Sequence, residues 1–272
     1  MKEKISITID KHILKNIDSF IDRIFIRNRS QAIENLLKSY LDKSKSVVIL
    51  LGGPEERLKI GKKYTPLVNI KGVTLIERTM IKLRKDNFKE IYIIARKKIL
   101  DEIFSLLKSG EYYGVKIKYI EEQESNGSAQ SLRLIKKEIS NTFLLLYGDI
   151  YFDNLKLNDL WNFHIKNNVI SSLSLITFGK PSIKGQVFLE GDKIVQFNQK
   201  PKGDKENSYL VWCPICVCEP EILQYPGKSL EEDIFPVLAK KNLLKGYINS
   251  EREIHIHTQE DLDNINKNSK IK

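Results

Sequence analysis

The sequence predicts an α/β protein in two parts. A short strand–helix–helix segment spans residues 1–46, and a mixed, mostly parallel sheet covered by helices spans residues 47–272. Three observations carry this. Residues 4–10 alternate apolar and polar side chains strictly, the period of a strand with one apolar face. From residue 47 onward, short all-apolar runs alternate with helical stripes, the pattern of a parallel sheet buried on both faces. The chain of 272 residues is also longer than the ~150 usual for one domain. No apolar run approaches the ~18–20 residues of a membrane span, and the alternating N-terminus lacks a signal-peptide core. Membrane partners are therefore not expected.

In the first part, Ile5, Ile7 and Ile9 share one face of the strand, and Lys4, Ser6 and Thr8 share the other. Ile13, Leu14, Ile17, Phe20, Ile21 and Ile24 then recur at helical spacing. After the basic turn at Arg27 and Arg29, Ser30 is the expected N-cap of a second helix with Ala32, Ile33, Leu36, Leu37, Tyr40 and Leu41 on its apolar side. A lone strand has two unpaired edges, and so short a segment has too little core to fold by itself. Pairing two copies as a ribbon cures both defects. The ribbon's outer face would carry Lys4, Ser6 and Thr8, side chains suited to base edges in a major groove. The backbone N–H groups at Ser30 and Gln31, with Arg27 and Arg29 nearby, would meet phosphate. Residues 1–46 hold ten Lys/Arg and six Asp/Glu, 10 − 6 = +4, within a whole-chain excess of +10.

In the second part, strands are expected at 47–51, 91–94, 116–120, 143–147 and 172–176, with helices at 75–85 and 99–107. Cys213, Cys216 and Cys218 form one cluster with no distant partner, which reads as small side chains in a buried strand and fits a reducing cytoplasm. Ligands of open α/β sheets sit at the carboxyl ends of strands. Three such ends carry chemistry. Gly52 and Gly53 with Arg57 suit a phosphate. Gln123 with Gly127 suits a base edge. Asp149 after Gly148 suits a hard cation. His255 and His257 share one face of an alternating stretch and read as solvent-facing imidazoles; His12 and His164 read as surface residues, and Trp161 as core.

Two resemblances sharpen these expectations. Residues 3–42 resemble the ribbon-helix-helix DNA-binding family, most specifically at Asn28, Arg29 and Ser30 opening the second helix. This implies a homodimer, or a tetramer built of two dimers, on double-stranded DNA. Residues 47–265 resemble the sugar-phosphate nucleotidylyltransferases, or nucleotide-sugar pyrophosphorylases, with their Rossmann-like, GT-A-like fold. The motifs are the run from Leu51 to Leu58, Thr65-Pro66-Leu67, Gly127-Ser128-Ala129, Tyr147-Gly148-Asp149, Gln199-Lys200-Pro201, and the closing segments 230–236 and 256–262. The resemblance implies a nucleotide or nucleotide-sugar ligand held by Gly52, Gly53, Arg57, Gln123 and Gly127. It places the sugar phosphate at Gln199 and Lys200, and Mg²⁺ at Asp149 when a nucleotide is bound. Yet Glu55 and Glu56 replace a Gly and a Thr of the family signature, Thr65 replaces a Lys, and His255 replaces a second metal-binding Asp. The leading expectation is therefore a DNA-binding transcriptional regulator that senses its ligand without catalytic residues or a required cofactor. The alternative is a working Mg²⁺-dependent sugar-1-phosphate nucleotidylyltransferase whose N-terminal segment dimerises it or binds DNA autoregulatorily.

Overall fold

The computed structural model describes residues 4–43, 45–124, 126–201, 208–251 and 254–267, with the side chains of 38–43 and of Arg57 outside the description. The second compact unit begins at Lys45, so Lys45 and Ser46 belong to it and not to the first.

In the first unit, residues 4–10 have no strand pairing in the single chain, because a strand needs a partner edge to form. Asp10 caps helix α1 (Lys11–Asp18), its carboxylate accepting the His12 N–H at 2.7 Å. The helix ends earlier than the apolar stripe suggested. Asp22 Oδ1 accepts the N–H groups of Ile24, Phe25 and Ile26, and Arg23 is left-handed (φ +59°), so Phe20, Ile21 and Ile24 lie outside the helix. Helix α2 (Arg29–Lys43) is capped by Asn28, not Ser30: the Asn28 side chain accepts the Gln31 N–H at 2.9 Å. Two expected phosphate contacts are also committed within the chain. The Arg29 guanidinium forks onto Asp18 at 2.7 and 2.9 Å. The Gln31 backbone N–H is the one that Asn28 takes, and the Gln31 side-chain amide accepts from the Arg27 N–H and donates to the Phe25 carbonyl. Lys4, Ser6, Thr8, Arg27 and Ser30 are exposed.

The second unit runs through β1 (Ser46–Leu51), two small ribbons made of β2 (Lys59–Ile60) with β3 (Lys63–Tyr64) and of β4 (Asn69–Ile70) with β5 (Val73–Thr74), α3 (Leu75–Lys85), β6 (Glu90–Ala95), α4 (Lys97–Leu107), β7 (Lys116–Glu121) and α5 (Ser128–Arg133). It continues through β8 (Phe143–Tyr147), β9 (Ile150–Tyr151), α6 (Leu157–Ile165), β10 (Ser171–Thr177), β11 (Gly185–Glu190), β12 (Lys193–Gln199) and β13 (Leu210–Cys218). It closes with α7 (Phe235–Lys240), β14 (Leu244–Ile248), β15 (Ile254–His255) and α8 (Gln259–Lys267). Local chemistry starts the elements where the apolar pattern requires. Thr74 and Glu77, for example, form a reciprocal capping box at α3.

Nine strands form one sheet in the order β10-β14-β12-β11-β13-β8-β1-β6-β7. The expected parallel half is present as β8-β1-β6-β7. Beyond β8, however, β13 joins antiparallel and β11–β12 is a hairpin. Five of the nine pairings are antiparallel, so the sheet is mixed and not mostly parallel. Strand β1 is buried on both faces: Val47, Ile49 and Leu51 pack with Ile91, Met80 and Ile103, and Val48 and Leu50 pack with Tyr92, Leu132 and Phe235. Cys213, Cys216 and Cys218 are buried and form no disulfide, and Trp161 is in the core. His164 is not a surface residue. It is 1 % exposed, with Nδ1 at 2.9 Å from Ser172 Oγ and Nε2 at 3.1 Å from Glu219. That imidazole is the first cause holding the Glu219 carboxyl below its ordinary value. Among the described residues, no helix is long and apolar enough to cross a membrane.

Candidate functional site

The parallel strands β1, β6, β7 and β8 bring their carboxyl ends to one edge. Leu51 is level with Ala95, Ala95 with Glu121, and Leu50 with Tyr147. The residues just beyond these rows are Gly52, Arg96, Glu122 and Gly148-Asp149. Glu122 is anchored by its N–H to the Ala95 carbonyl at 2.9 Å, and it is 2 % exposed. Its Oε1 accepts a short hydrogen bond from Ser131, while its Oε2 is buried with no hydrogen-bond partner among the described residues. A Cβ on Gly52 would stand 2.8 Å from that Oε2, so the glycine is what leaves the carboxylate face open.

Glu121, Glu122, Gln123, Glu124, Gln130, Ser131 and Leu134 line a cleft of about 490 Å³. Gln123, the expected base reader, is exposed at its rim. The inward residue is Glu122, one position earlier, and alternation along an extended segment turns such a one-residue offset into the opposite face. Arg96, which the sequence reading passed over, adds a guanidinium at the same edge whose Nε is buried without a hydrogen-bond partner among the described residues.

Gly127 leads into α5 with φ +125°, and a Cβ there would lie 2.4 Å from the Lys228 carbonyl oxygen. That approach lets the Ala129 N–H reach the same carbonyl at 2.9 Å. Glu231, 9 % exposed, ties the surrounding elements together. It accepts from Tyr147 Oη at 2.5 Å, Ser128 Oγ at 2.6 Å and Ser229 Oγ at 2.8 Å. Burial, then the Glu231 charge, pushes the Tyr147 phenol well up, so it stays a donor at neutral pH. Gly127→Ala is accordingly expected to cost about 2–4 kcal/mol, from a strained φ and a backbone clash together. Thermal unfolding checks this, and an unchanged midpoint would show that the loop relaxes freely.

The remaining expected residues are dispersed. Glu55 takes the Tyr64 hydroxyl at 3.3 Å and lies 3.8 Å from Lys98 Nζ, so its charge is partly answered, and Glu56 is exposed. Burial, then the Glu55 charge, raises the Tyr64 phenol. Thr65 is buried and donates to the Leu58 carbonyl at 3.0 Å, which ties its hydroxyl to the backbone. The side chain of Arg57 lies outside the described residues. At the end of β12, Gln199 Oε1 is buried with no hydrogen-bond partner among the described residues, and Lys200 is exposed with φ +42°.

Asp149 was expected to hold Mg²⁺. Its side chain converges with His255 and His257: one donor atom from each lies within 4.8 Å of the other two. His257 is exposed, as expected, whereas His255 is only partly so. Mg²⁺ takes oxygen ligands in a strict octahedron, and two imidazoles with one carboxylate suit it poorly. The Mg²⁺ implied by the resemblance does not fit this donor set.

The second unit is thus a mixed α/β domain with a cleft at the carboxyl edge of its sheet and a buried carboxylate turned into it, where open α/β sheets commonly hold their ligands. The chain belongs to the nucleotidyl transferase family, which it matches over residues 46–253. A Sulfolobus acidocaldarius protein described as a candidate mannose-1-phosphate guanyltransferase is 29 % identical over 201 residues, covering 71 % of this chain and 54 % of that protein. The mannose-1-phosphate guanyltransferase of Yarrowia lipolytica is 28 % identical over 211 residues, covering 74 % of this chain and 57 % of that protein. The chain thus spans about half the length of these curated relatives. A crystal structure from Bacillus anthracis, described as a candidate glucose-1-phosphate thymidylyltransferase in complex with sucrose, has a TM-score of 0.73 at 20 % identity. It covers 84 % of this chain and 96 % of that one, a likeness of fold.

Proposed function

We propose that the second unit is a nucleotidylyltransferase that takes a guanosine triphosphate and a sugar 1-phosphate. The observation that carries this reading is Glu122, a buried carboxylate with one unanswered oxygen beside Gly52. A carboxylate only accepts hydrogen bonds. Guanine alone among the bases offers two adjacent N–H donors, N1–H and N2–H, on its pairing edge; uracil and thymine place carbonyl oxygens on both sides of a single donor. The relatives described as guanyltransferases agree with this choice without selecting it, since others are described as uridylyl- or cytidylyltransferases, and all favour the catalytic alternative over a ligand sensor.

In the reaction, a phosphate oxygen of the sugar 1-phosphate attacks the α-phosphorus. The bond from that phosphorus to the β-bridging oxygen breaks, and pyrophosphate leaves with the electron pair. Gly52 and Gly53 let the backbone approach the phosphates, Arg96 supplies a cation at the strand end, and Gln199 with Lys200 meets the sugar phosphate. Without a Lys at position 65, turnover is expected to be slower by about 10²–10³ than with that contributor in place. Pyrophosphate release from each nucleoside triphosphate, with a panel of hexose 1-phosphates, tests the reading. GTP should be preferred, and Arg96→Ala should slow release.

A second reading rests on Thr65, whose hydroxyl is committed to a backbone carbonyl and offers no charge. Here the unit binds GTP or a guanosine-diphosphate sugar without turnover and so regulates the first unit. Thermal stabilisation by GTP with no pyrophosphate release would select this reading, and neither response would remove both.

For the first unit we propose a twofold dimer that binds double-stranded DNA. Its described residues bury only Ile17 and Ala32 as apolar side chains, while Ile5, Ile7, Ile13, Phe20, Ile24, Phe25 and Leu37 are at least half exposed. So much apolar surface on about forty residues supports a second copy as the covering partner. Lys4, Ser6 and Thr8 would read bases, and Arg27 would meet phosphate.

A further inference from the structure

The closing segment of the second unit is built to present two imidazoles to Asp149. β15 pairs antiparallel with β9, His255 opposite Ile150, and the Ile256 N–H donates to the Asp149 carbonyl oxygen at 2.9 Å. Ile256 is fully buried among Val68, Leu75 and Leu262. Alternation about Ile256 therefore turns His255 and His257 to the opposite side together, with ring centroids 5.4 Å apart and planes 33° from parallel. The start of α8 fixes the second ring's backbone: Asp261 Oδ2 accepts the N–H groups of His257 at 3.0 Å and Thr258 at 2.8 Å. Asp149 completes the cluster. Its Oδ2 is 3.9 Å from His257 Nδ1, and its Oδ1 is buried with no hydrogen-bond partner among the described residues.

We infer that Asp149, His255 and His257 form a site for a borderline-soft first-row divalent cation, with Zn²⁺ the ion of choice, where the resemblance places Mg²⁺. Imidazole nitrogens suit Zn²⁺, and two His with one carboxylate form a three-ligand set that leaves a coordination position open. Around a tetrahedral ion with metal–ligand distances of about 2.1 Å, donors stand about 3.4 Å apart. The three donor atoms lie within 4.8 Å of one another, so binding draws them together by up to about 1.4 Å. Asp149 follows β8, the strand beside β1, so it lies at the edge that carries Glu122 and Gly52, and a phosphate oxygen of the ligand would suit the fourth position chemically. This last point rests on the proposed nucleotide site; the three-residue cation site does not.

The test uses the full chain, stripped of metal and without nucleotide. Calorimetric titration with Zn²⁺ should give one site, and Co²⁺ should develop a visible ligand-field spectrum with imidazole character. Transition ions outcompete Mg²⁺ at many donor sets, so the decisive comparison is between variants. His257 is more than half exposed, so His257→Ala should leave the metal-free melting temperature unchanged while weakening Zn²⁺ at least ~10²-fold, the upper end of what even outer-sphere partners of a metal site are worth. His255→Asp combined with His257→Gly should erase the Co²⁺ spectrum and raise Mg²⁺ affinity. Zn²⁺ affinity and Co²⁺ spectra unaltered in these variants would overturn the inference. GTP binding measured separately without metal tells that failure from a failure of the nucleotide reading.

Discussion

Glu122→Gln is expected to weaken GTP binding by about 10²–10³ and to improve binding of UTP or dTTP relative to GTP. The change is nearly isosteric, and Ser131 can still donate to the remaining carbonyl oxygen. The new NH₂ group, however, faces an N–H of guanine where a carboxylate oxygen accepted it. Hydrogen bonds to charged groups contribute about 1.5–3 kcal/mol each. Losing one and opposing two donors in a buried cleft reaches about 3–4 kcal/mol, and each 1.4 kcal/mol is tenfold. Uracil instead gains, because an amide supplies a donor for its carbonyl and an acceptor for N3–H. Competition binding of the four nucleotides to both proteins measures the switch. Equal loss for every nucleotide would make Glu122 a structural residue, and no loss would remove it from the base site. Gln123→Ala, at the exposed rim, serves as the control and should leave nucleotide preference unchanged.

The contrast between positions 122 and 123 shows where sequence reasoning stops. The strand–helix alternation of residues 46–147 was legible because buried parallel strands are apolar throughout, and every one of those strands and helices formed within two residues of its expected bounds. The antiparallel half was less legible, since β11 and β12 mix polar residues into a sheet partly open to solvent. At the end of β7 the chain offers Glu121, Glu122, Gln123 and Glu124 in succession, four polar side chains of which none carries the apolar phase onward from Ile120. Only the Ala95 carbonyl, on the adjacent strand, fixes which of them turns inward.

His164 was misplaced for a related reason. A helical stripe shows which face is inward but not that Ser172 and Glu219 wait there to satisfy an imidazole. The pairing of His255 with His257 was visible as period-two spacing. Their convergence on Asp149 required β9 and β15 to meet, a contact between segments far apart in sequence. In the first unit, local polar chemistry overrode the apolar stripe: Asp22 and Asn28 captured backbone N–H groups and so moved both helix boundaries.

The double substitution Ile5→Lys and Ile7→Lys should convert the full chain from dimer to monomer and abolish its DNA binding, leaving nucleotide binding by the second unit intact. In the single chain Ile5 is 72 % and Ile7 55 % exposed, so within a monomer these changes would be neutral or would improve solubility. If two copies pair through residues 4–10, the same side chains lie beneath the ribbon, and fully burying each contributes about 1.5–3 kcal/mol. Two positions in each of two copies, now carrying like charges in an apolar layer, raise the dimer dissociation constant by at least ~10³-fold. Lys4, Ser6 and Thr8 alternate to the other face and are untouched, so any DNA binding lost is lost through the dimer and not through a missing contact. Sedimentation equilibrium of both proteins, with fluorescence anisotropy on a mixed-sequence duplex at two salt concentrations, gives the result. A wild-type chain that is already monomeric, or a variant that still dimerises, would transfer the first unit's exposed apolar face to another partner and remove the ribbon from the account. Arg27→Ala discriminates further within a dimer that does bind: it should lower affinity for all sequences alike and flatten the salt dependence, whereas Arg29, already forked onto Asp18, should have little effect on either.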